Sequence, residues 1–103
     1  MKDIKKTIGL DYYCDRKSFY NRCGVDIDEN DVCYLWSYNT YVGYYDGEFH
    51  RTWDGYSATT MRHINAFMAY LWYEHGYRKE DNGHGYPIGG KAWWTRLAVE
   101  KIK

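Results

Sequence analysis

The sequence predicts an α+β fold. A three-stranded antiparallel meander packs on one long central helix, flanked by a short N-terminal helix and a C-terminal helix. Three observations lead there. Met61, Ile64, Met68, Leu71 and His75 recur at alternating steps of three and four, which places them on one face of a helix over residues 57–76. Between residues 32 and 53 the period changes to two, interrupted by Asn39-Thr40 and by the hairpin-forming pair Asp46-Gly47. Trp94, Leu97, Ala98 and Ile102 then share one broad helical face over residues 91–103.

Taken in order, residues 1–14 are polar, with Ile4, Ile8 and Leu10 compatible with either a short strand or a loose helix. Asp15 suits the cap of a short helix through Arg22, with Phe19 and Cys23 turned inward and Gly24 ending it. Residues 26–31 read as an acidic loop. Strands are expected over residues 32–38, 41–45 and 48–53, and Asp54-Gly55 closes the last. Ser57 or Thr59 supplies a hydroxyl cap for the long helix, and Gly76 suits the left-handed position beyond its end. The far side of that helix carries His63, Ala66, Ala69, Tyr70 and Tyr73, so cover on more than one side is expected. Residues 82–90 form a glycine-rich loop with the only proline, Pro87.

A chain of 103 residues has room for one domain and one modest core. Fourteen Lys plus Arg balance fourteen Asp plus Glu, which weighs against a general nucleic-acid binder. Cys14, Cys23 and Cys33 are an odd number without paired spacing, as expected of a reducing compartment. The longest apolar-aromatic run, residues 66–73, is short of the ~20 residues a membrane span requires. The expected location is the cytoplasm of a bacterial host, with no membrane partner. Thirteen tyrosines and five tryptophans exceed what one small core can hide, and such rings gather at interfaces.

Motifs for chemistry are sparse. Residues 85–92 have the glycine and lysine spacing of a phosphate-binding loop, but Ala92 stands where a magnesium-holding hydroxyl belongs. They read as a loop entering the last helix. Asp26-Ile27-Asp28-Glu29-Asn30 opens like a calcium loop, yet Asp31 replaces the required glycine and Ser37 the closing glutamate. The cysteines with His50, His63, His75 and His84 are zinc-type ligands without close pairs. No catalytic residue, metal or cofactor is assigned.

Ser37-Tyr38-Asn39-Thr40-Tyr41-Val42, Tyr45-Asp46-Gly47, residues 53–60 and His63-Ile64 resemble small uncharacterised proteins of tailed phages and mobile elements in Gram-positive bacteria. The resemblance covers residues 36–67. It implies a genomic context in which small proteins block host defences, CRISPR nucleases included, by binding. The expected function is therefore a non-enzymatic inhibitor that binds a host protein or ribonucleoprotein, such as a CRISPR-associated nuclease with its guide RNA. Its expected contact surface comprises Tyr44, Tyr45, His50, Arg51, Tyr70, Tyr73, Tyr77, Arg78 and Tyr86. A nucleic-acid module using Arg51, Arg62, Arg78, Lys79, Lys91 and Arg96 with nearby tyrosines is the alternative. A small metal-dependent enzyme using His50, His63 or Glu74 is the third.

Overall fold

A computed structural model describes residues 3–13, 22–77 and 90–102. Five strands, β1 (Ile4–Ile8), β2 (Cys23–Asp28), β3 (Cys33–Ser37), β4 (Thr40–Tyr45) and β5 (Phe49–Arg51), form one sheet in the order β1-β2-β3-β4-β5. Every neighbouring pair is antiparallel, so the sheet is a meander. Helix α1 (Ala58–His75) packs on one face and α2 (Lys91–Arg96) joins the same core. The α+β class agrees with the expectation, and β3 to β5 are the three expected strands.

Two further strands correct the three-stranded sheet. The alternation in β2 is plain once seen: Cys23, Val25 and Ile27 are buried in the core, while Asp26 and Asp28 alternate with them. Carboxylates are depleted in strands, which is why residues 26–31 read as a loop. Here hydroxyls from Thr7, Tyr34 and Tyr41 satisfy them, removing the usual reason to stay in water. Gly24 does not end a helix. It lies inside β2 opposite Trp36, whose indole covers it so closely that an added Cβ would sit 2.6 Å from Cζ2 of the ring and 2.8 Å from the Ile8 carbonyl oxygen. The expected helix over residues 15–22 lies outside the described residues, Arg22 excepted; a single 3-10 turn occupies Asp11–Tyr13.

Helix α1 follows the expectation closely. Ser57 Oγ accepts the Thr60 N–H at 3.0 Å. Gly76 turns left-handed, at φ 67°, and returns its N–H to the last turn. Met61, Ile64, Met68 and Leu71 are buried, and so are His63, Ala66, Phe67 and Tyr70, so the helix is covered over a broad arc. His75, expected on the same face, is exposed at the helix end.

The terminal helix is shorter than residues 91–103. It stops at Arg96 because Leu97 turns extended, at φ −74° and ψ 137°, and the chain runs along β5. Val99 bridges Arg51 in parallel, and the Glu100 N–H donates to the Arg51 carbonyl at 2.7 Å. The open edge of β5 thus outcompetes another turn of helix for these backbone groups. Among the described residues, no helix is long and apolar enough to cross a membrane.

The Gly24–Trp36 contact is directly testable. Gly24→Ala drives a methyl against both the Trp36 indole and the Ile8 carbonyl and is expected to cost about 1–3 kcal/mol in urea unfolding. Gly9→Ala, where nothing lies within 4 Å of the added carbon, serves as the near-neutral control.

Candidate functional site

Residues paired directly across antiparallel strands share a face of the sheet. One such row, Ile8–Val25–Leu35–Gly43–Arg51, faces the helices. The next row, Thr7–Asp26–Tyr34–Tyr44–His50, crosses all five strands on the other face, and Trp36 and Tyr41 pair beside it. This second face is built of rings and carboxylates. Tyr34 donates to Asp28 Oδ2 at 2.8 Å, Thr7 donates to Asp26 Oδ1 at 2.8 Å, and Tyr41 donates to Asp26 Oδ2. Asp28, fully buried, also accepts the N–H groups of Asn30 and Val32. Burial, then the accepting carboxylates, push the Tyr34 and Tyr41 hydroxyls up to about 12, so both remain neutral donors.

At the far end of that row, the Tyr44 ring stacks on His50, with centroids 4.6 Å apart. The imidazole is clasped by two carboxylates, Nδ1 to Glu100 at 2.8 Å and Nε2 to Asp46 at 2.9 Å. Burial disfavours the charged ring, but the hydrogen bonds and charges of Glu100 and Asp46 outweigh it and raise its pKa. His50 therefore ties the C-terminal segment to the β4–β5 hairpin.

Arg51, expected at the surface, is buried. Its guanidinium lies over the Trp94 ring, 4.7 Å from the centroid, and donates to the carbonyls of Trp53, Trp94 and Leu97. A cation that receives the last carbonyls of α2 is doing structural service. Tyr44 and Tyr70 are likewise buried, Tyr70 between Phe67 and Tyr13, so these three are corrected as exposed contact residues. Long apolar stems and flat rings let such side chains serve the interior despite their polar tips. Tyr45 and Tyr77 are half-buried against each other on the helix side. Tyr73 is 69% exposed. Arg78, Tyr86 and the glycine loop before Gly90 lie outside the described residues. The described members of the set thus divide between the two sheet faces and form no single surface.

The reactive groups are dispersed too. His63 is buried, its Nδ1 2.7 Å from Ser37 Oγ, which also meets Thr60 Oγ1 at 3.2 Å. Burial, then the charge of Arg62, lower its pKa to about 4, so the ring is neutral. Glu74 accepts from Tyr13, and His50 lies on the opposite face; the three residues of the enzyme alternative do not meet. Cys33 sits 3.8 Å from the His75 ring, its thiol pushed up by burial and thereby blunted as a nucleophile. Among the described residues, no three His, Cys, Asp or Glu side chains gather as a metal site.

What the sequence reading missed is a cleft on the ring-and-carboxylate face, about 330 Å³ in volume, at the β3–β4 turn. Trp36, Tyr38 and Tyr41 supply its rings, Asp26 its charge, and Thr7, Asn39 and Thr40 its remaining polar edge. Tyr38 is 45% exposed and left-handed, at φ 57°, a costly conformation for a residue with a Cβ. The available signal was the alternation of Cys23, Val25 and Ile27, which puts Asp26 on the same face as Trp36.

Residues 10–83 match a family described as a family of unknown function, DUF8033, and the chain belongs to that family. No curated protein and no solved structure matches it.

Two outcomes follow from the buried and clasped histidines. Ser37→Ala strips the His63 ring of its partner at Nδ1 and is expected to lower stability by about 1–3 kcal/mol, read from urea midpoints. His50, with a raised folded pKa, contributes stability fully below its ordinary value of 6.5 and loses it as pH rises through the folded value. His63, lowered to about 4, contributes above 6.5 and loses it as pH falls toward 4. Together they place a stability maximum near 6.5, and His50→Gln should remove the alkaline decline alone.

Proposed function

We propose that this protein acts by binding another protein, without catalysis. The observation that carries the reading is the exposed cleft of Trp36, Tyr38 and Tyr41, together with the exposed ring of Tyr73. Most other described rings are spent on one another, as in Tyr34–Tyr44, Tyr45–Tyr77 and Phe49–Trp94. Rings left in water at the rim of a cleft supply contact area at little entropic cost. The segment of residues 36–67 that resembles phage and mobile-element proteins extends the proposal: the protein is an inhibitor carried by such an element. Its target class is a host defence nuclease, a CRISPR-associated nuclease or its guide-RNA complex foremost.

The shared residues of that segment support the fold more than the contact. Ser37 bonds both Thr60 and His63, and Ser57 caps α1. Tyr38, by contrast, belongs to the same segment and stands in the cleft.

The test adds purified protein to CRISPR-associated nuclease–guide complexes and follows DNA cleavage and co-elution. Expected are loss of cleavage at equimolar protein and salt-tolerant co-elution, with both weakened about tenfold or more by combined Tyr38→Asn and Tyr73→Ser. Unimpaired cleavage with no co-elution would remove the nuclease as target. Association that instead collapses with added salt and follows free nucleic acid would favour the nucleic-acid alternative.

A further inference from the structure

The cleft itself indicates what it is shaped to hold. Asp26 is half-buried at its floor, and each carboxylate oxygen already accepts one hydroxyl, from Thr7 and from Tyr41. Those two donors fix the plane of the carboxylate without neutralising it. An ionised carboxylate has about four lone-pair sites, so acceptor capacity remains on both oxygens. Among the described residues, Asp26 forms no ion pair; the pairs present join Lys5 to Asp31 and His50 to Asp46 and Glu100. With this charge, Trp36, Tyr38 and Tyr41 line the cleft, and the negative face of an aromatic ring attracts cations.

We propose that the cleft of Trp36, Tyr38, Tyr41 and Asp26 receives the guanidinium of an arginine side chain presented by a partner protein. The inference rests on the protein-binding reading and names the chemistry of its contact. A guanidinium is favoured over an ammonium on three grounds. It is flat, and so matches an open slot walled by rings rather than an enclosed cage. Its hydration is weaker, and so it enters a partly dry site at lower cost. It presents a planar fork of donors to an oriented carboxylate, where an ammonium offers a point charge. The chain contains a precedent at the same ring: Arg22, which does not line the cleft, holds its guanidinium over Tyr38 at 5.8 Å from the centroid. Tyr38 keeps its place at the rim despite a left-handed backbone, with its N–H bonded to the Arg22 carbonyl at 2.6 Å and its ring 5.8 Å from that of His63. The rim ring is therefore held in advance of any ligand, which lowers the ordering cost of binding.

The experiment titrates the full chain, labelled for amide NMR, with N-acetyl-arginine methylamide. The expected result is a saturable shift of the Trp36 indole N–H and of amides near Asp26, Asn39 and Thr40, at about 10–100 mM ligand, the range for one isolated side chain. The citrulline analogue has the same shape without the charge and is expected to leave these signals in place. Asp26→Asn keeps the side-chain shape, replaces one carboxylate oxygen with an amide nitrogen and removes the charge, and is expected to weaken the arginine response about fivefold or more. Should Asp26→Asn fail to fold, Tyr38→Asn, which tolerates the left-handed backbone and lacks the ring, carries the same expectation. No shift with arginine, an equal shift with citrulline, or an equal response to the lysine analogue would each overturn the assignment. Arginine failing to bind while a partner protein is still captured sinks the cleft assignment and spares the binding reading. Arginine binding by a protein that captures no partner sinks the binding reading and keeps the guanidinium site.

Discussion

The joint between β3 and α1 governs the rest of the structure. Ser37 ends β3, Thr60 and His63 open α1, and their three polar side chains meet in the interior where water cannot serve them. Each would be costly if left alone, so the helix has one satisfactory seat on the sheet. Ser57 caps the helix one turn earlier, fixing its start relative to the same strand. With that seat set, Ile64, Phe67 and Leu71 meet Val25, Leu35 and Val42 in the core, and Phe67 comes within ring contact of Phe49.

A second joint holds the end of the chain. Arg51 gathers the carbonyls of Trp53, Trp94 and Leu97 while its backbone receives Val99 and Glu100. His50, the adjacent residue on the opposite face, closes on Glu100 from the other side. One strand of three residues thus anchors the terminal segment through both its faces. This explains why two of the most conspicuous polar residues of β5 are consumed by the fold and are not offered to a partner.

The sheet divides labour between its faces. One, apolar apart from Ser37 and Arg51, is covered by helices; the other spaces Asp26 and Asp28 among tyrosines so that both carboxylates are met by hydroxyls. Trp36 lies flat because Gly24 leaves it room, and on the helix face Phe49 lies over Gly43 in the same manner. The ring-rich composition is mostly a solution to covering a five-stranded sheet in a small chain, where flat side chains close a surface that a thicker layer would otherwise cover. Among the described residues, the tyrosine rings left exposed are Tyr38 at the β3–β4 turn, Tyr56 ahead of α1 and Tyr73 near the end of α1.

The extent of α1, its serine and glycine caps, the Asp46-Gly47 hairpin and strands β3, β4 and β5 were legible in the residues, because caps, turns and periodicity are local consequences of backbone chemistry. The N-terminal strands were not, since Asp26 and Asp28 read as loop until their hydroxyl partners, up to 19 positions away in sequence, are known. Nor could the sequence say that Arg51 and Tyr44 are buried while Tyr38 stays out, for that depends on which carbonyl and which ring arrives from elsewhere. The sequence by itself determined the elements and most of their ends. Only the tertiary structure decided which polar groups meet, because burial and pairing are properties of residues brought together across the fold.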